Sequence, residues 1–176
     1  MRCIKIHGPG DVRFEEIDQP IPGAKDVLVK VSHCGICGTD LGYIKAGGLM
    51  GPMPDPMALG HEVSGVVEAV GEEVVSIQPG MRVVANPMGA NNLIGNGGPE
   101  GAFADFVLVR NATNGGCLYE IPAEISMQEA ALTEPQLEVF ETMMQDDQGS
   151  KKRMFLPTSP EFSMKKMLCA GSGSIF

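Results

Sequence analysis

The chain is organised around two short stretches, Cys-Gly-Thr-Asp at residues 37–40 and Gly-His-Glu at residues 60–62. Thiolate and imidazole groups are protein ligands that zinc prefers, so Cys37 and His61 are candidate ligands. Glu62 follows the imidazole directly and offers either a third ligand or a hydrogen-bond acceptor behind the ligands. A catalytic zinc ion needs only three protein ligands, because its fourth position is left for water or substrate. The two stretches therefore predict one catalytic zinc site.

Three glycines, Gly35, Gly38 and Gly60, lie next to these candidate ligands. Glycine has no Cβ atom, so it permits close approach of neighbouring groups and positive φ angles. We expect each of the three to serve one of these purposes around the ligand turn.

A family resemblance rests on these residues. Residues 34–40, Cys-Gly-Ile-Cys-Gly-Thr-Asp, resemble the first catalytic-zinc segment of the zinc-dependent medium-chain alcohol and polyol dehydrogenases. Residues 60–65, Gly-His-Glu-Val-Ser-Gly, followed by Gly71 and Val74, are similar to that family's G-H-E-x-x-G-x5-G-x-x-V signature. Two signatures in the right order are more specific than either one alone. The resemblance covers residues 1–135 and implies a GroES-like catalytic domain.

The resemblance also implies roles for individual side chains. Thr39 matches the serine or threonine that hydrogen-bonds the substrate hydroxyl and relays its proton, the alternative being a helix N-cap. Asp40 resembles the carboxylate that orients the zinc-bound imidazole. Thr-Glu-Pro at residues 133–135 resembles the segment that approaches zinc in the polyol dehydrogenases. Glu134 and Glu62 therefore compete for the third ligand position, and the sequence leaves the choice open.

Composition excludes several other classes of protein. The 176 residues are 43% hydrophobic and 20% charged, which is ordinary for a globular domain, and the net charge of −9 disfavours nucleic acid and anionic membranes as partners. The sequence has neither an apolar run long enough to span a membrane nor a signal-peptide core, and five irregularly spaced cysteines do not make a disulfide framework. We therefore expect a cytoplasmic protein. Its oligomeric state is left open.

Short alternating segments between glycine and proline turns predict the fold. Residues 26–32 form the clearest strand, and residues 2–7 and 12–17 read as an opening hairpin. Ser126 and Glu129 have the spacing of a capping box, which predicts a helix that begins there. Further strands are predicted at residues 63–70, 80–85, 102–110 and 118–121. The pattern indicates a mainly β fold, a partly open GroES-like barrel with a few short helices.

The composition changes after residue 135, so we expect a catalytic domain over residues 1–135 and a connector over residues 136–176. Gly171-x-Gly173 resembles the start of a G-x-G-x-x-G dinucleotide fingerprint, but Phe176 stands at the third glycine. We therefore expect the Rossmann domain to be missing and NAD or NADP to bind only in a full-length enzyme. Residues 86–101 contain no cysteine where the family carries its structural-zinc lobe, so no structural zinc is expected.

The function implied by the resemblance is zinc-assisted hydride transfer from a small alcohol or polyol to NAD(P), with the truncated chain inactive by itself. Two alternatives remain. A non-enzymatic GroES-like binding or assembly module would have no need of Cys37, Thr39 or His61. A redox protein would use Cys34 and Cys37 as a Cys-x-x-Cys pair and would form a reversible disulfide.

Overall fold

The computed structural model describes residues 1–134, which contain eight strands and two α-helices. The strands are β1 (Arg2–Gly8), β2 (Asp11–Glu16), β3 (Val27–Gly35), β4 (Met57–Ala58), β5 (Glu62–Val70), β6 (Arg82–Ala85), β7 (Phe106–Val109) and β8 (Leu118–Glu120). The helices are α1 (Gly38–Ala46) and α2 (Met127–Ala131), and a 3-10 turn covers Gly89–Asn91. The predicted connector and fingerprint remnant in residues 136–176 lie outside the described part of the chain.

The strands form two antiparallel sheets. One has the order β2-β1-β4, and the other has the order β7-β3-β5-β6-β8. An isolated bridge between Cys3 and Ala104 connects β1 to the segment before β7, and the Ile4 N–H donates to the Phe103 carbonyl at 2.9 Å. Neither sheet closes on itself. The prediction of a mainly β, partly open GroES-like barrel with a few short helices is confirmed.

The pairing of β3 with β5 determines where the candidate ligands meet. β3 is longer than predicted and runs to Gly35, where it pairs with the first residue of β5, so that Cys34 faces Val63 and Gly35 faces Glu62. One register shift between Val31 and His33 precedes these last pairs. The turn after β3 and the start of β5 are therefore brought together at the same end of these two inner strands of the five-stranded sheet.

The hydrophobic core lies against the central strands of the larger sheet. Its members include Val27 and Val29 of β3, Val67 of β5 and Val107 of β7, none more than 2% exposed. Leu28, which alternates with these valines along β3, is buried as well. Lys30 is paired on both edges like Leu28 but is exposed, so burial on this face of β3 is confined to its first residues.

The capping box predicted for α2 is confirmed. The Glu129 N–H donates to the Ser126 hydroxyl at 3.2 Å, and the Ser126 N–H donates to the Glu129 carboxylate at 2.9 Å. The Ser64 hydroxyl of β5 donates to the Met127 carbonyl at 2.7 Å. This contact fixes the first turn of α2 against the strand that begins at Glu62.

The loop of residues 86–101 is held by polar contacts with β7 and its end. The Arg110 N–H donates to the Asn92 side chain at 2.8 Å, and the Asn92 amide donates back to the Arg110 carbonyl at 3.0 Å. The Arg110 guanidinium also pairs with Glu100 at 2.9 Å. Side-chain hydrogen bonds thus order this lobe within the described residues. The absence of a structural zinc ion stays a prediction.

Neither helix in residues 1–134 combines the length with the apolar character that crossing a bilayer requires.

The ion pair between Arg2 and Asp105 predicts a contribution to acid stability. The Arg2 side chain and backbone N–H both donate to the Asp105 carboxylate, at distances down to 2.7 Å, and lower its pKa to about 2. Because the folded-state pKa is depressed, this contribution is present above the unfolded value near 3.8 and is lost as pH falls through about 2. We expect Asp105→Asn to flatten the pH dependence of stability in that window. Urea titrations between pH 2 and pH 5 would measure this, and an unchanged slope would contradict it.

Candidate metal centre

Cys37 occupies the start of α1. It is the N-cap residue, with φ −110° and ψ 175°, and its sulfur accepts a hydrogen bond from the Thr39 N–H at 3.3 Å. The Cys37 N–H donates to the Asp40 carboxylate at 3.0 Å, which completes a capping box. Backbone N–H groups at a helix N-terminus stabilise negative charge on a neighbouring atom. The turn therefore presents a half-buried sulfur in surroundings that suit a thiolate ligand.

His61 enters the site from the start of β5. The Gly60 before it has φ +89°, and a Cβ on Gly60 would lie 2.6 Å from the Phe103 backbone nitrogen. Both observations require glycine at this position. The His61 side chain is 4% exposed, and its Nε2 lies 3.2 Å from the Cys37 sulfur.

Cys37, His61 and Glu62 form the one group of three metal-type side chains within residues 1–134 whose ligand atoms converge. All three ligand atoms lie within 4.8 Å of one another. In a tetrahedral zinc site, sulfur, nitrogen and oxygen ligands at their usual bond lengths are about 3.3–3.6 Å apart. The Cys37 sulfur and His61 Nε2, 3.2 Å apart, are close to this separation, and the donor set of the group fits a zinc ion with one position left for another oxygen.

Two buried polar atoms beside the group also fit a metal site. Asp40 is 1% exposed, and its Oδ1 lies 3.6 Å from Nδ1 of His61, too far for a hydrogen bond. Both atoms lack a hydrogen-bond partner in the described part of the chain. A ligating imidazole donates its second N–H to a carboxylate, which fixes the ring orientation. Asp40 is placed for this contact, because a small ring movement would close the distance.

The two competing carboxylates are placed differently. Glu62 is 4% exposed and belongs to the converging group, whereas Glu134 is half-buried at the last described residue, after α2, and does not belong to it. Thr39 is exposed on the first turn of α1, two residues from the sulfur. Thr39 is therefore accessible to solvent and close in the chain to the candidate thiolate.

One expectation about the ligand turn, and the alternative given for Thr39, are wrong. Gly38 does not have a positive φ angle, and a Cβ added to it would have no atom within 4 Å, since it is simply the first residue of α1. Thr39 is not a helix N-cap, because the helix begins one residue before it and Cys37 is the cap. The sequence signal was the spacing Cys37-x-x-Asp40, which is a capping box with cysteine in place of serine or threonine.

Sequence reasoning also missed the relation between Gly35 and Glu62. A Cβ on Gly35 would lie 1.9 Å from Oε2 of Glu62, so the carboxylate fills the space that a side chain would need. Gly35 thus confirms the expected close approach. The contact depends on cross-strand register, which the local sequence does not reveal.

Comparison with known proteins agrees with this fold. Residues 23–122 match the alcohol dehydrogenase GroES-like domain family, and the chain belongs to that family. Its homologues and structural neighbours are dehydrogenases, and the predicted resemblance is confirmed.

Relatives of this chain include polyol and diol dehydrogenases. Sorbitol dehydrogenase of Homo sapiens is 36% identical over 148 residues, 74% of this chain and 40% of that protein. The (R,R)-butanediol dehydrogenase of Bacillus subtilis (strain 168) is 34% identical over 157 residues, 77% of this chain and 44% of that protein. The crystal structure of 2R,3R-butanediol dehydrogenase from Bacillus subtilis superposes with a TM-score of 0.66 at 32% identity, over 77% of this chain and 44% of that chain. The chain spans less than half the length of these relatives.

Proposed function

We propose that residues 1–135 are the catalytic-zinc domain of an NAD(P)-dependent alcohol or polyol dehydrogenase. The observation that carries this proposal is the convergence of the ligand atoms of Cys37, His61 and Glu62 within 4.8 Å, where β3 ends and β5 begins. One zinc ion would be held by Cys37 and His61 with a carboxylate, and the structure favours Glu62 over Glu134 for that role. Zinc bound there would act as a Lewis acid and would lower the pKa of an alcohol bound to it toward the neutral range.

The chain's own residues would orient the substrate and move its proton. Thr39 is exposed two residues after Cys37, and its hydroxyl can accept a proton from a substrate hydroxyl while donating its own. Asp40 would accept the Nδ1–H of His61 and hold the imidazole in one tautomer. The same carboxylate keeps the Cys37 backbone in place through the 3.0 Å hydrogen bond. Asp40 thus links the positions of two of the candidate ligands.

Hydride transfer also requires a nicotinamide cofactor, which such enzymes bind in a doubly wound α/β domain. We propose that NAD or NADP is bound by protein outside residues 1–135 and that the 176-residue chain alone has negligible turnover. The substrate class, a small alcohol or polyol, is supported by the names of the relatives. Cytoplasmic location and a single zinc ion without a structural one belong to the same proposal.

Zinc content and catalysis test the proposal together. Purified chain should contain one zinc ion by elemental mass spectrometry, and removal of zinc by a chelator should lower its melting temperature, because a bound metal stabilises the folded state. The chain should show no reduction of NAD or NADP with sorbitol or 2,3-butanediol. A chain that folds and takes up no zinc would refute the metal site. Steady turnover would refute only the need for a separate cofactor domain.

The redox alternative is less consistent with the structure. The pKa of the Cys34 thiol is raised to about 12, mainly because the thiol is buried. The negative charge of Asp40 acts in the same direction. A redox-active thiol needs a lowered pKa, because the thiolate is the reacting form. Cys34 and Cys37 are both free thiols.

We therefore expect Cys34 to resist alkylation. In zinc-free protein at pH 8, only about one Cys34 thiol in ten thousand would be ionised, so iodoacetamide should leave it unmodified while it labels Cys37. Peptide mass spectrometry over a time course would measure the two rates. Rapid labelling of Cys34, or a Cys34–Cys37 disulfide formed in glutathione buffer, would favour the redox function instead.

The binding-module alternative does not explain the buried polar residues. Asp40 and His61 are at most 4% exposed, and Oδ1 of Asp40 and Nδ1 of His61 have no hydrogen-bond partner within residues 1–134. Burial of charged and polar groups costs free energy unless they are paired or bind a metal. A module that acts only through its surface would not require this group.

A further inference from the structure

Gly35 and Glu62 are directly opposed at the end of the β3–β5 ladder. Side chains of opposed residues in antiparallel strands lie on the same face, with Cβ atoms about 4.5–5.5 Å apart. Here one of the two positions has no side chain. The Glu62 carboxylate lies across it, and its Oε2 would be 1.9 Å from a Cβ at position 35.

The same carboxylate is the oxygen donor of the converging group. One of its oxygens lies within 4.8 Å of the ligand atoms of Cys37 and His61, and the residue is 4% exposed. Cys37 follows Gly35 by two residues, so the carboxylate reaches the sulfur by lying over the last residue of β3. A side chain at position 35 would block this path.

We infer that Gly35 is a positioning residue, whose missing side chain leaves the room through which the Glu62 carboxylate reaches the metal site. This inference rests on the zinc site proposed above. It concerns how the oxygen ligand is held in place, whereas the zinc site itself depends on Cys37 and His61.

The geometry also predicts that a side chain at position 35 collides first with Glu62. The three atoms nearest to a Cβ on Gly35 all belong to the Glu62 side chain, at 1.9, 3.0 and 3.1 Å. By contrast, a Cβ on Gly65 would lie 2.4 Å from the Lys30 backbone oxygen, which only movement of the strands could relieve. Alanine at position 35 requires the Glu62 carboxylate to rotate away and the Glu62 Cβ, at 3.1 Å, to move slightly. The domain should therefore fold with its carboxylate displaced.

Zinc affinity of the purified 176-residue chain tests the inference. We expect Gly35→Ala to weaken zinc binding 10- to 100-fold, the range seen when residues that position metal ligands are altered. Competition with a chromophoric chelator would measure the affinity. The visible spectrum of the cobalt-loaded protein should shift, because the oxygen ligand changes. The matched control is Gly38→Ala, where no atom lies within 4 Å of the added Cβ, and it should bind zinc as the unaltered chain does.

A double-mutant cycle separates positioning from a general structural effect. Without the Glu62 side chain the collision is absent, so Gly35→Ala should cause no further loss of affinity in a Glu62→Ala background. A loss of equal size in both backgrounds would overturn the inference, as would a double variant that fails to fold. Wild-type affinity and spectrum in Gly35→Ala would overturn it while the zinc site stands. An unaltered chain that binds no zinc would overturn both proposals.

Discussion

Cys37→Ser and His61→Ala are each expected to lower zinc affinity about a hundredfold or more. Zinc bound by four protein ligands has an apparent binding free energy of about 10–16 kcal/mol, so each ligand accounts for about 3 kcal/mol. Serine at position 37 keeps an oxygen that can cap α1, so the loss reflects the missing thiolate rather than a disrupted helix. Zinc stoichiometry after dialysis and a competition titration would measure the effect.

Matched control variants make this result specific. His33→Ala and Cys34→Ser remove the same chemical groups from β3, at residues outside the converging group of candidate ligands. Both controls should retain one zinc ion. If Cys37→Ser retained zinc and Cys34→Ser lost it, the ligand assignment would be wrong. Equal retention by all four variants would place the metal outside the proposed centre.

Asp40→Ala is expected to produce the second largest effect, on both metal affinity and stability. It removes the carboxylate that lies 3.6 Å from Nδ1 of His61 and the acceptor that holds the Cys37 N–H at 3.0 Å. Loss of a residue that orients a ligating histidine lowers metal affinity about 10- to 100-fold. Loss of the capping box should lower the free energy of unfolding of the zinc-free protein by about 1 kcal/mol. Chelator competition and urea unfolding would measure the two effects.

Asp40→Asn separates these two roles. An amide oxygen can still accept from the Cys37 N–H, so the stability of the zinc-free protein should stay close to that of the unaltered chain. The amide carries no charge to stabilise a ligating imidazole, so zinc affinity should still fall. Asp55→Ala, at an exposed carboxylate in the loop before β4, is the control and should change neither quantity. Unchanged zinc affinity in Asp40→Asn would show that Asp40 serves only the helix.

The sequence predicted most of the fold and the residues that meet at the candidate site because both leave local signals. Alternation identified β3, and the Ser126 and Glu129 spacing identified α2. The types of these residues and their order in the chain identified Cys37 and His61 as candidate ligands. Each of these signals is contained within a few consecutive residues.

The remaining features depend on contacts between distant segments. Gly35 and Glu62 are 27 positions apart in the sequence, and their contact requires the register of two strands, which a single sequence does not specify. The choice between Glu62 and Glu134 is likewise a question of where α2 packs. The burial of Leu28 depends on what packs over that face of β3, because Lys30, which is paired on both edges in the same way, is exposed. Tertiary arrangement decides all three.

The double use of Cys37 limits how this domain can change during evolution. Its sulfur accepts the Thr39 N–H at the start of α1 in addition to being the candidate thiolate ligand. A descendant that lost the need for metal would still require an acceptor at that position to begin the helix. We therefore expect metal-free descendants of this domain to replace this cysteine with serine, threonine, aspartate or asparagine rather than with an arbitrary residue.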